Sequence, residues 1–155
     1  MQRRALIAMP VLISLPAWSH HGWSSFDQNR PLYLAGQVSR VAWRNPHAEL
    51  QLELPVEGLK LPADLASRSL PAQTAPVDGV ALLKAAQLPT RKDSRWEVEL
   101  APLSRLQAWA VPEIKLGDAL AMLGFAFAGE KGEPVLRVEF LFAAGKTYGL
   151  RSSPA

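Results

Sequence analysis

His20, His21 and His47 are the three histidines of this 155-residue chain, and the first two stand side by side after an apolar run, in "LPAWSHHGWSSFD". Cleavage between Ser19 and His20 would leave a chain beginning on a histidine. That residue then offers two nitrogens, its α-amine and a ring nitrogen. A further histidine, His47 in "RNPH", would complete a T-shaped three-nitrogen set, a histidine brace. Such a set suits Cu(II), which favours nitrogen donors in a square plane and tops the affinity order of the divalent first-row metals. An α-amine with a pKa of about 8 loses its proton readily to a metal. His21 is an alternative partner, because the amine, the intervening amide nitrogen and the His21 ring also chelate Cu(II). Asp27 is placed to orient a ring nitrogen from outside the ligand set, or else to close a turn. Soft ligands are scarce: the chain has no cysteine, and beyond residue 19 its one methionine is Met122. A methionine-based Cu(I) site is therefore not expected.

The first 19 residues carry the marks of a cleavable export signal. Arg3 and Arg4 form a positive start, Ala5 to Leu15 an apolar stretch broken by Pro10, and Ala17 and Ser19 supply small residues ahead of the cut. The apolar stretch is too short to span a bilayer, and no run of about 20 apolar residues follows it, so no membrane insertion is expected after signal removal. No cysteine follows the cut, which argues against a lipoprotein. The arginine pair leaves both the general and the twin-arginine routes open. These features place the mature protein in the periplasm. Removing two arginines and no acids lowers the net charge from +3 to +1, so the basic character is partly that of the signal. Nucleic-acid binding, which needs a clustered basic face, is not expected. With no disulfides available, the core alone must hold the fold.

The elements that would position these residues can be read from periodicity. "PLYLAGQVSRVAW" alternates and gives a strand over 33–43, with Gly36 at a bend or bulge. Asn45-Pro46 marks a turn. "AELQLEL" alternates strictly over 48–54, with Leu50, Leu52 and Leu54 on one face. Residues 55–94 are rich in proline and read as an inserted loop, functional or mobile, holding one short helix over 79–87 capped by Asp78. "RWEVEL" (95–100) is a third strand. A helix follows over 101–109 with Pro102 in its first turn. Strands over 119–129 and 134–143, a short last strand within 144–150 and a disordered tail over 151–155 complete the chain. A helix between the third and fourth of five strands is the order of a small OB-like β-barrel, all-β apart from short helix. A two-sheet sandwich is the alternative.

No Ser-His-Asp set and no glycine-rich phosphate loop can be assembled, so an enzyme is not expected. An oxidase built on a histidine brace would need a flat aromatic surface that nothing in the sequence supplies. Glu97 and Glu99 alternate on one strand face and read as solvent-facing. Trp23, Trp43, Trp96 and Trp109 read first as core and lid residues. Trp23 and Trp43 are the two that would meet a ligand, since barrels of this type use aromatics on their binding face.

The segments "HHGWSSFD", "LAGQVSRVAWRNPHAELQLEL", "WEVELAPLSRL", "KLGDALAMLGF" and "GKTY" resemble, in order, a domain-of-unknown-function family of small exported bacterial proteins. That family has a His-His start, a Gly-x-Val strand, Trp-x-Asn-Pro-His and a Leu-x-x-Gly-Asp turn. Ser19 stands where the family usually has alanine, and 55–94 looks like an elaboration. The resemblance implies export and an OB-like domain over 20–150. The function expected is then a periplasmic barrel that carries or sequesters a metal ion, Cu(II) first, through His20 and His47. The alternative is a module that docks a periplasmic protein or small ligand, with structural histidines and no metal.

Overall fold

A computed structural model describes residues 22–155. Its element order is β1 (Leu32–Ala42), β2 (Glu49–Glu53), α1 (Gly79–Ala85), β3 (Arg95–Glu99), α2 (Leu103–Ala108), β4 (Ala119–Phe125), β5 (Val135–Ala143) and β6 (Lys146–Gly149). The sheet runs β3-β2-β1-β4-β5-β6, and a parallel β3–β5 pairing closes the first five strands into a barrel. Closure, with α2 between β3 and β4, gives the small OB-like barrel and removes the sandwich alternative. It also leaves β3 and β5 without open edges. Among the described residues no helix is long and apolar enough to cross a membrane.

The barrel interior follows from alternation. Leu34 pairs with Met122, Val38 with Leu52, Val41 with Leu50, Leu52 with Trp96, and Val98 with Leu136. Each of these positions contributes to one apolar cluster. Two register shifts explain breaks in the period. One lies between Val38 and Arg40 in β1, so Val38 and Val41 both face inward although they stand three positions apart. The other leaves Glu139 without a partner in the β4–β5 ladder, between Val138 and Phe140. Beyond it Phe140 and Phe142 join a separate cluster instead of the interior. Strand β4 ends at Phe125, short of the expected 129. Residues Ala128–Glu130 instead form a 3-10 turn, with Gly129 and Glu130 at positive φ of 65° and 53°.

The 55–94 insert is a structural cover. Tyr33, Leu123 and Phe140 from the barrel pack with Leu65 and Leu83 from the insert, and Leu70, Val77, Leu82 and Leu88 pack against them. Asp78 caps α1 as expected, accepting from the Ala81 N–H at 3.0 Å. Tyr33 N–H donates to Gln87 O at 2.8 Å, which fastens the end of the insert to β1. The tail over 151–155, expected as disordered, is instead hydrogen-bonded to the insert. Thr74 N–H donates to Ser153 O at 3.0 Å, and Ala155 N–H to Ala72 O at 3.2 Å. The insert offers the tail a backbone edge to pair with, a partner that composition does not reveal.

Gly36 directly precedes Gln37, where β1 passes from pairing with β4 to pairing with β2. A Cβ on Gly36 would lie 2.1 Å from the Glu53 carbonyl oxygen. Gly36→Ala is expected to lower stability by about 1–3 kcal/mol, the usual cost of overpacking a closed site. Urea unfolding monitored by tryptophan fluorescence would show it, and an unchanged midpoint would contradict the close approach.

Candidate functional site

His47 is fixed by the turn that carries it. The turn holds a cis Asn45-Pro46 bond. Asn45 Oδ1 accepts from the Leu103 N–H at 3.1 Å, so the turn caps the start of α2. Directly after His47, Ala48 exchanges backbone hydrogen bonds with the β3 end: its N–H donates to Ala101 O at 3.0 Å, and Leu100 N–H donates to Ala48 O at 2.9 Å. Asn45→Ala is expected to cost about 1 kcal/mol, the usual value of a lost helix cap. Urea unfolding measures that loss, and stability equal to wild type would show that the cap contributes nothing.

The segment 22–30 lies across the barrel beside this turn. Phe26 bridges Phe127 and stacks on its ring, with centroids 4.9 Å apart. Asp27 N–H donates to Ala126 O at 2.9 Å. Trp23 lies over two guanidinium groups, Arg151 at 3.7 Å and Arg137 at 4.9 Å, and meets Phe125 edge-on. Such stacking is worth about 0.5–2 kcal/mol per pair, more where water is excluded.

The two arginines belong to a balanced charge cluster made by Arg137 and Glu139 of β5, Glu99 of β3 and Arg151 just after β6. Arg137 is 4 % exposed and donates to Glu99 Oε2 at 3.2 Å. Its Nη2 lies 3.3 Å from His47 Nε2. Glu139 is fully buried, and Arg151 Nε donates to its Oε2 at 2.8 Å. Arg151 Nη1 donates to Gln28 Oε1 at 2.8 Å, so this cation also ties down the 22–30 segment. Burial pulls the Arg137 pKa below the ordinary arginine value, against the opposing pull of Glu99. Burial likewise pushes Glu139 up, and the Arg151 guanidinium beside it pulls it back.

His20 and His21 lie outside the described residues. His47 joins the Arg137 cluster. Asp27 closes a turn instead, its Oδ1 accepting from the Asn29 N–H at 3.1 Å. Trp23 covers the cluster, whereas Trp43 packs against the interior core. Trp96 is fully buried, and Trp109 donates from its ring N–H to Ser152 O at 2.8 Å. Glu97 pairs with Arg40 and Gln51 at the surface, but Glu99 is largely withdrawn from solvent, its side chain 12 % exposed beside Arg137. Among the described residues no group of three or more histidine, cysteine or acidic side chains could hold a metal ion. A site built on His47 must therefore draw its other donors from elsewhere, and neutral imidazole is a fitting first donor for Cu(II).

Arg137, Glu139 and Arg151 were not singled out by sequence reasoning. One signal was available. In "PVLRVEFLFA" two charges stand two residues apart inside an otherwise apolar strand. Charges so placed either face solvent or pair in a covered cluster, and alternation alone does not choose between them.

The fold and this covered flank define a small closed OB-like barrel with a charge cluster under its N-terminal segment. The sequence pattern of a family of unknown function (DUF6152) matches residues 9–61. That range holds His20, His21, Trp23, His47 and all of β1 and β2, and it agrees with the resemblance drawn from the motifs. No curated protein matches the chain.

Proposed function

We propose that the protein is an exported, non-enzymatic metal-binding module of the periplasm. Its ion is Cu(II), held by the amine and ring of His20, once cleavage has freed them, and by His47. It acts as a carrier or a sequestering protein. The observation that carries this reading is the position of Trp23. Its ring lies on the Arg137 guanidinium, and Arg137 reaches His47. His20 precedes Trp23 by three residues, a span of about 10 Å at full extension. That length supports a brace formed with His47. Copper would supply redox and Lewis-acid chemistry when bound, and the reading here is carriage.

A second reading has its own observation. A guanidinium donating to a histidine ring is also what a structural histidine accepts, and on that reading the barrel docks a periplasmic protein or small ligand without metal. Cu(II) titration of residues 20–155 with a free His20 amine separates the two. One equivalent should bind, and His47→Ala should weaken it by more than roughly 100-fold, beyond the upper end of what losing a mere outer partner costs. An added residue ahead of His20 should weaken it similarly. Binding indifferent to both changes would leave the docking module as the better reading.

A further inference from the structure

The Arg137–His47 contact constrains which ring nitrogen a metal ion could use. Guanidinium nitrogens carry hydrogens and no available lone pair, so Arg137 can only donate. His47 Nε2, 3.3 Å from Arg137 Nη2, must then be the accepting nitrogen. In the neutral ring Nδ1 carries the hydrogen. The lone pair on Nε2 is the one that this ring has to offer, and Arg137 uses it. Turning the ring over would present a protonated nitrogen instead.

Arg137 is held at that position from three sides. Glu99 takes its Nη1 at 3.2 Å, the Trp23 ring covers it at 4.9 Å, and its side chain is 5 % exposed. We infer that Arg137 is a built-in competitor for the metal ion at His47: guanidinium and metal exclude each other at Nε2. This inference rests on the metal reading above and adds its regulation. A metal ion can use His47 only if the guanidinium gives up that bond and turns wholly to Glu99. The positive charge of Arg137 also stays nearby and opposes a dication. The site is thereby tuned toward exchange. Weakly held ions lose to the arginine, and a bound ion is released to a stronger acceptor as the arginine retakes the lone pair. No covalent step is involved.

The test has two parts, both on residues 20–155 with a free amine. Nitrogen NMR of the His47 ring, assigned by its loss in His47→Ala, should show hydrogen on Nδ1. Cu(II) titration against a competing chelator should then show the double variant Glu99→Gln/Arg137→Met binding at least about tenfold tighter than wild type, the scale of one nearby like charge. The paired replacement avoids stranding a buried carboxylate. Should it fail to fold, Glu99→Gln/Arg137→Gln keeps a donor but loses both charges, and it should still bind about threefold tighter. Hydrogen on Nε2 in wild type would overturn the inference. So would equal or weaker binding in a folded variant, with the metal reading left standing. If wild type shows hydrogen on Nδ1 yet binds no Cu(II), the metal reading fails, and the competitor role falls with it.

Discussion

Replacing Glu130 with alanine is expected to cost about 3 kcal/mol or more. This carboxylate is 7 % exposed and joins three parts of the chain. Its oxygens accept from the Thr90 N–H at 3.0 and 3.1 Å and from the Thr90 hydroxyl, and Arg30 Nη1 lies 3.0 Å away. Thr90 belongs to the insert, Arg30 ends the 22–30 segment, and Glu130 itself belongs to the β4–β5 connection. Truncation would leave the Thr90 N–H and hydroxyl without this acceptor and Arg30 with Gln87 Oε1 alone. Each such loss costs about 1–3 kcal/mol, and charged acceptors lie at the upper end. The pH dependence follows. Burial alone would push Glu130 up, but the Thr90 donors and Arg30 outweigh it and hold the pKa below the usual 4.5. A depressed carboxylate contributes stability above its unfolded pKa and loses it as pH falls through the folded value. Wild type should therefore weaken in acid below about pH 4.5. Glu130→Gln should be weaker at neutral pH and lose part of that acid slope. Urea unfolding between neutral pH and acid measures both. Stability of Glu130→Ala within about 1 kcal/mol of wild type would show that the junction is not held this way.

Glu99→Ala is the second large effect, expected at about 3–5 kcal/mol. Arg137 has a side chain only 5 % exposed, and Glu99, at 12 %, is the carboxylate beside it. Removing one member of a buried pair strands the other charge, which is far costlier than the net worth of the pair. The paired replacement Glu99→Leu/Arg137→Met should recover most of the loss, since two apolar side chains need no partner. The coupling energy in the double-mutant cycle is the measured quantity. Additive single effects would mean that the two charges do not depend on each other.

Much of the fold was legible because one side of most strands is buried. Leu50, Leu52 and Leu54 marked β2, and the helix at 103–108 between β3 and β4 marked the barrel order. The register shifts were less legible, because an extra residue in a strand breaks alternation without leaving a residue type of its own. Val38 and Val41 in β1, and Val138 and Leu141 in β5, each show an odd spacing that only pairing explains. The insert's role was hidden for another reason. Its proline content signalled a loop, whereas its scattered leucines find their partners in Tyr33, Leu123 and Phe140, all distant in sequence. At the site, the histidines stood out by chemical type. The arginines did not, since Arg137 gains its meaning from Glu99, His47 and Trp23, which lie on three other segments.

Electron paramagnetic resonance of the exported protein, loaded with one equivalent of Cu(II) after intact mass has fixed its first residue, reads the proposed ligands directly. The expected result is a chain that begins at His20 and a spectrum with nitrogen couplings that changes in His47→Ala. A chain that begins elsewhere, or a spectrum identical in wild type and His47→Ala, would contradict metal binding by His20 and His47 together.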